Sequence, residues 1–210
     1  MPLQNRVTPY GDLIAVPERG LVYGNRGCLH DAEGRIRRHH AGRRWIACRL
    51  AFRGWHRTPL LQPGRFTELF FLDEATAWSA GHRPCALCRR SDYDRFLAVW
   101  ERLYPAERGA DAVDERLHTE RLEGGRQRRH RRRVADLPDA TMIDDAGVAR
   151  IVVGSQVLRW TPAGYDDPHP KKGITEADVL TPPSLVAVLA ADWSPELALL
   201  HPSAFEVTDR

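Results

Sequence analysis

Four cysteines are the residues of this chain best suited to chemistry. Two of them, Cys85 and Cys88, stand three positions apart in Gly81-His82-Arg83-Pro84-Cys85-Ala86-Leu87-Cys88-Arg89-Arg90. A Cys-x-x-Cys turn presents two sulfurs to one metal ion with little strain, and zinc favours four soft or borderline ligands in a tetrahedron. The other two, Cys28 and Cys48, lie upstream, and none lies downstream. The expectation is that Cys28, Cys48, Cys85 and Cys88 converge on one Zn2+, with His30, His56 or His82 as the substitute should a cysteine stand apart. A redox dithiol shares this spacing, although Pro84 precedes the pair and no βαβ pattern surrounds it. Buried free thiols without any metal are the other alternative.

Arginine supplies the second chemical signal. Lys171 and Lys172 are the only lysines, and the densest basic run is Arg126-Gln127-Arg128-Arg129-His130-Arg131-Arg132-Arg133. A guanidinium grips phosphate in a planar fork and stays charged. The net charge is only +3, but its uneven distribution suits a polyanionic partner, with nucleic acid, above all DNA, first. The plainer reading of the same run is a solvated loop.

Length and composition bound these readings. With 210 residues, 42% hydrophobic and 28% charged, the chain suits one large soluble domain or two small ones. No run approaches the roughly 18 apolar residues of a membrane span. Met1 to Asn5 lacks a basic-then-apolar leader. The expected compartment is the cytoplasm, where thiols stay reduced and cysteines serve as ligands more readily than as disulfides.

Several elements must position these groups. Leu21 to Tyr23 is apolar and runs into the Gly24 to Gly27 turn before Cys28. Arg35 to Arg44 reads as an exposed loop. Trp45 to Phe52 alternates like a strand and carries Cys48. Phe66 to Leu72 reads as a buried strand. Asp73 caps a helix over Glu74 to Ala80 that stops at Gly81. Ser91 or Asp92 caps a second helix, whose Tyr93, Phe96, Leu97, Trp100, Leu103 and Tyr104 follow helical spacing up to Pro105. A helix is expected over Asp111 to Leu122 within a connector, and a three-stranded meander over 140–143, 148–153 and 156–160. Asp166 to Gly173 reads as a polar loop, Val179-Leu180 as a strand, and Thr181 as the cap of a helix reaching Ala191. The tail from Trp193 to Phe205 is apolar enough to dock. The expected fold class is α+β. A small zinc-knuckle N-terminal module (1–105) is joined by a basic connector (106–134) to a β-meander plus helix C-terminal unit (135–210).

The run Phe70-Phe71-Leu72-Asp73-Glu74-Ala75-Thr76-Ala77-Trp78-Ser79-Ala80-Gly81-His82-Arg83-Pro84-Cys85-Ala86-Leu87-Cys88-Arg89 resembles the metal-binding domain of Ada-type DNA repair proteins. That family shows a strand, an "EA…AAG" helix and then "GFRPCKRC". Ile46-Ala47-Cys48-Arg49 is similar to its upstream segment, and the likeness covers about residues 45 to 100. The resemblance implies four zinc-bound thiolates, one of which accepts a methyl group from a methylated DNA phosphotriester. Cys85 and Cys88 match the downstream pair, and Cys48 matches the methyl acceptor. The family's second cysteine falls here on Phe52, so Cys28 has to supply the missing ligand.

The first functional expectation is therefore a zinc-binding, nucleic-acid-associated protein with a DNA-repair role. Arg43, Arg44, Arg49, Arg83, Arg89 and Arg90 would contact phosphates beside the metal. The second is a hydrolase- or nuclease-like enzyme acting on DNA or a nucleotide between the two halves, with zinc purely structural. An interaction or regulatory module is the third. His118, His130, Glu120 and Asp139 match no hydrolytic spacing and read as surface groups. No glycine-rich phosphate loop, dinucleotide fingerprint or Ser-His-Asp signature is present.

Overall fold

The computed structural model describes residues 1–54, 58–193 and 200–206, apart from the side chains of residues 192 and 193. Short strands build the first sheet: β1 (Arg6–Val7), β2 (Leu13–Ile14), β3 (Val22–Asn25), β4 (Ile46–Cys48), β5 (Leu69–Phe71) and β6 (Arg83–Pro84). Their spatial order is β2-β1-β5-β3-β4-β6. β4 runs antiparallel to β3, with Tyr23 opposite Cys48, and parallel to β6, with Ile46 opposite Arg83.

Helix α1 (Glu74–Ser79) follows β5, and every one of its residues is buried. Asp73 caps it, with Oδ1 accepting from the Thr76 amide at 2.9 Å and from the Thr76 hydroxyl at 2.8 Å. Gly81 ends it at φ +77, the left-handed position that glycine fills without strain. α1 joins two cores. Ala77 and the following Ala80 pack with Val7, Val22 and Phe71 of the first sheet. Ala75 and Trp78 pack with Phe96, Trp100, Val113, Met142 and Leu185.

Helix α2 (Arg90–Leu103) buries Tyr93, Phe96 and Trp100 of the expected face and adds Val99, while Leu97, Leu103 and Tyr104 are only partly buried against the larger core. Its start differs from expectation. Arg89 holds the cap position without a side-chain cap bond, and its guanidinium pairs with Asp92 instead. Residues 106–134 are no mere connector. They form α3 (Gly109–Arg121), the hairpin β7 (Leu122–Glu123) and β8 (Arg126–Gln127), and β9 (His130–Arg133).

The second sheet adds β10 (Met142–Asp145), β11 (Val148–Val153), β12 (Gln156–Thr161), β13 (Gly164–Pro170) and β14 (Glu176–Val179), in the order β13-β12-β11-β10-β14-β9. The second and third meander strands stand where their alternation predicts, while the first runs two residues later than expected, over Met142–Asp145. Met142, Ile151 and Leu158 face the helices, while Ile143, Val152, Val157 and Val179 face a smaller core closed by Val134 and Leu137. Residues up to Pro170 of the expected polar loop are strand β13. It lies at a sheet edge, where Pro168 and Pro170 are tolerated because the outer N–H row has no ladder to complete.

α4 (Pro183–Val188), a π turn over Leu189–Trp193 and α5 (Ser203–Glu206) end the described chain. The expected docking tail falls partly outside the described residues, but Ala204 is buried in the larger core. One buried cluster thus runs from Leu72 to Ala204. The three-part division at 105 and 134 does not separate packing units. Among the described residues no helix is long and apolar enough to cross a membrane.

Candidate metal centre

Cys48, Cys85 and Cys88 come together at one end of β4. Strand pairing sets Cys48 at the end of β4 with β6 alongside. The Cys85 amide then donates to the Ala47 carbonyl at 2.9 Å, which carries the chain past Cys48. The turn after β6 returns Cys88, and the Arg89 amide donates to the Cys85 carbonyl at 3.0 Å to start the helical turn. The sulfurs of Cys48, Cys85 and Cys88 consequently lie within 4.8 Å of one another. All three are buried.

This set could hold a metal ion. Zinc–thiolate bonds of about 2.3 Å in a tetrahedron put sulfurs about 3.8 Å apart, inside the observed limit. The backbone already supports thiolate charge. The Arg49 amide points at Cys88 Sγ at 3.4 Å, and the Leu87 amide at Cys85 Sγ at 3.5 Å. Without a cation the thiols share protons unequally. Hydrogen bonds from Cys48 and Cys88 push the Cys85 thiol well down. Donation to Cys85, then to Cys88, together with burial, pushes Cys48 far up. Cys88 is lowered by Cys48, but its bond to Cys85 and its burial outweigh this, so it ends raised. A divalent cation at this point would resolve that competition by holding all three as thiolates.

Cys28 is a correction to the expected four-cysteine set. With Tyr23 opposite Cys48 in an antiparallel pair, the chain after Tyr23 runs away from the thiols at about 3.3 Å per residue. Cys28 ends up partly exposed, its Sγ 3.7 Å from the carbonyl oxygen of His30. The described histidines do not replace it. His30 is engaged by Thr67 at 2.7 Å and by the Gln62 carbonyl at 3.2 Å. His82 packs between Phe71 and Trp45, at ring distances of 4.7 and 5.2 Å, beside the other end of β4. His56 lies outside the described residues. The candidate centre therefore has three protein ligands among the described residues.

The arginines expected to surround it divide into three kinds. Arg83 and Arg89 are buried and committed to carboxylates, which corrects their reading as phosphate contacts. Arg83 grips Asp114 through two bonds of 2.9 and 2.7 Å, tying β6 to α3. Arg89 lies 2.7 Å from Glu74 and 2.8 Å from Asp92. Burial raises the Glu74 carboxyl in spite of Arg89 beside it. Arg49 and Arg90 are exposed beside the thiols, Arg49 loosely paired with Asp92 at 3.9 Å and Arg90 donating to Asp94 at 2.9 Å on the helix surface. With Arg53 they line an open hollow of about 650 Å3 that includes Cys88 and the exposed Leu87. Arg43 and Arg44 are also exposed, but they precede β4 and face Glu115 and Asp111 of α3.

The methyl-acceptor role implied for Cys48 meets an obstacle in its burial. Only 4% of its surface is exposed, less than for Cys85 or Cys88 at 7% each. A nucleophile for a DNA phosphotriester needs an open approach, and this one is covered. The nuclease-like candidates also scatter. Glu120 accepts two bonds from Ser184, Asp139 accepts from the Gly154 amide, and His130 sits on β9.

The sequence missed the carboxylates that neutralise Arg83 and Arg89. Asp114 lies 31 residues from Arg83 in a different helix, so no local spacing announces it. A search of family patterns, curated proteins and solved structures matched none to this chain.

Proposed function

We propose that the chain is a zinc–thiolate protein that associates with nucleic acid, with the metal fixing the arginine-bearing turn beside it. The observation that carries this reading is the convergence of Cys48, Cys85 and Cys88 on a point lined by two backbone amides. Three thiolates on a borderline-soft cation favour zinc over magnesium or calcium. The cytoplasm is the compartment whose reducing thiol pool keeps such ligands available. Bound there, zinc supplies charge neutralisation and a covalent-strength crosslink. Cys48, Cys85 and Cys88 would hold it, and the Arg49 and Leu87 amides orient the sulfurs of Cys88 and Cys85.

Arg49, Arg53 and Arg90 then face solvent from a braced turn and suit backbone phosphates. The carboxylate pairs of Arg49 and Arg90 are exposed and weak, on the order of 0–1 kcal/mol, so a phosphate displaces them at little cost. Burial of Cys48 favours a structural metal over methyl transfer, and DNA repair enters as the setting that the Ada-like run suggests.

Metal analysis tests the first half. C48S, C85S and C88S should each drop from about one ion per chain to near none, while C28S keeps the ion. Retention in all three variants removes the centre. Fluorescence anisotropy with duplex and single-stranded DNA tests the second half. Binding should weaken steeply with salt, and R90Q should flatten that dependence by about one phosphate contact. No binding at low ionic strength ends the nucleic-acid reading.

A further inference from the structure

A second basic feature lies at the opposite end of β4, and the metal centre does not use it. Trp45, just before β4, has two guanidiniums over its ring: Arg121 at 3.9 Å and Arg26 at 4.8 Å from the centroid. Both arginines are almost fully buried, with 2% and 1% of their surface exposed. Buried arginines normally face carboxylates, because desolvating a charge without a counter-charge costs several kcal/mol. Among the described residues, neither forms an ion pair. Arg26 Nη2 donates to the Gly11 carbonyl at 2.7 Å. Arg121 donates to the carbonyls of Gly81 and Arg43 and contacts His118 Nδ1 at 3.2 Å. The Nε atom of each has no hydrogen-bond partner among the described residues.

These two guanidiniums line a cavity of about 600 Å3 between the first sheet and the β7–β8 hairpin. Arg126 and Arg129 of the hairpin segment, with exposed side chains, also line it, as does His39. Arg129 is partly neutralised by Asp144. Asp12 is the carboxylate in the lining; it steadies the Arg26 charge from a distance, as Asp114 does that of Arg121, but neither forms an ion pair with these two arginines among the described residues. The hairpin wall is pinned in place, since Gln127 Nε2 donates to the carbonyls of Pro9, Ser79 and Leu180 at 2.8 to 3.3 Å. The neighbouring groups feel the surplus charge. Burial first, and then Arg26 and Arg121, hold His82 well below the usual imidazole range, and the same causes lower His40. Burial likewise draws Arg26 down to about 10 and Arg121 down to about 9.

We infer that this cavity is a binding site for a terminal phosphate, a phosphomonoester dianion read by Arg26, Arg121 and Arg126. The central observation is that, among the described residues, no carboxylate contacts either buried guanidinium and the Nε of each is left without a partner. Two buried, desolvated guanidiniums beside an exposed third are suited to a dianion with several acceptor oxygens. The cavity volume leaves space for the organic group that carries the phosphate. This inference goes beyond the proposed zinc centre and does not depend on it.

The test is calorimetric titration of the metal-loaded full chain at low ionic strength with orthophosphate, AMP, adenosine, and a short DNA oligonucleotide with or without a 5′-phosphate. Orthophosphate and AMP should bind, and adenosine should not. If AMP binds, the source is a free nucleotide-sized ester. If only the 5′-phosphorylated oligonucleotide adds affinity over phosphate, the source is a nucleic-acid end. Both outcomes support the phosphate assignment. R126Q, on the exposed hairpin, should weaken binding at least about tenfold at unchanged melting temperature, while D12N should strengthen it several-fold. Equal binding of adenosine and AMP, no heat with any phosphate, or R126Q and D12N both matching wild type would overturn it. Metal content measured on the same samples separates this outcome from loss of the zinc centre.

Discussion

Arg83 and Arg89 show how neighbouring residues of one type take different work. Both flank the Cys-x-x-Cys turn, yet both turn inward to carboxylates, leaving Arg49 and Arg90 outside. The buried Arg83–Asp114 pair makes a sharp prediction. Removing one partner strands the other charge in the interior, which costs about 3–5 kcal/mol. D114A should therefore lower the urea midpoint by that equivalent, whereas E115A, at the exposed Arg43 pair, should cost less than about 1 kcal/mol. Equal effects would mean that the Arg83 side chain is solvated. His130 makes a pH prediction. Burial, then Arg132 and Arg128, draw its imidazole down to about 4, against an unfolded value of about 6.5. The unfolded state then binds more protons between those values. The His130 contribution is fully present above about pH 6.5 and is lost as pH falls toward 4. Burial raises Asp73 and Glu74, which act with the opposite sign over part of this window, so the comparison must be made against a variant. H130Q should show a shallower loss of stability between pH 7 and 5 than wild type. Identical slopes would count against a buried neutral imidazole.

Among the elements, α1 matters most. Its cap residue Asp73 is fully buried and also accepts from the Tyr165 hydroxyl at 2.8 Å and the His201 amide at 3.2 Å. One carboxylate thus starts α1 and ties β13 and the C-terminal segment to it. Y165F removes a donor without changing shape, and the cost should be about 1–3 kcal/mol because a buried acceptor loses a partner. A change within a few tenths of a kcal/mol in a denaturant titration would show that Tyr165 is held by packing alone. Much of α1 is legible in the sequence: an acidic cap, a six-residue apolar-rich turn and a terminating glycine. The meander is legible for a similar local reason, since Val148 to Val153 alternates between two cores. β9 is not. Its four residues are His130-Arg131-Arg132-Arg133, with no apolar face; it pairs along four residues of β14 through the backbone ladder, with Arg131 facing Glu176 and Asp178 across the edge. Charged edge strands resist further pairing, and the same charge hides them from hydrophobic periodicity. At the thiol site, Cys85 and Cys88 follow from their spacing and Cys48 from its strand. The exclusion of Cys28 required the β3–β4 register, and register is a long-range fact. The Arg26–Trp45–Arg121 stack was equally hidden, because its members lie 19 and 76 positions apart in a chain dense with arginine.

At the scale of the whole molecule, the shared helix decides how the protein loses its structure. Separate modules would unfold in two steps, the metal-bearing one sensitive to chelation and the meander indifferent. Here Trp78 of α1 lies in the same buried cluster as Met142, Ile151 and Leu158 of the second sheet, while Ala77 faces the first. The Arg83–Asp114 and Asp73–Tyr165 contacts add polar ties between the same parts. Loosening the thiol turn should therefore reach the second sheet. Cys85 and Cys88 stand between β6 and α2, and α2 supplies Phe96 and Trp100 to the larger core. A single melting transition is expected for the full chain, shifted downward as a whole by a strong chelator, because a ligand bound only to the folded state stabilises every element coupled to it. Near-ultraviolet and far-ultraviolet circular dichroism should agree with each other on one midpoint in the metal-loaded chain, and again on one lower midpoint after metal removal. Two transitions, with only the earlier one moving on chelation, would instead establish that the second sheet stands independently of the thiol centre.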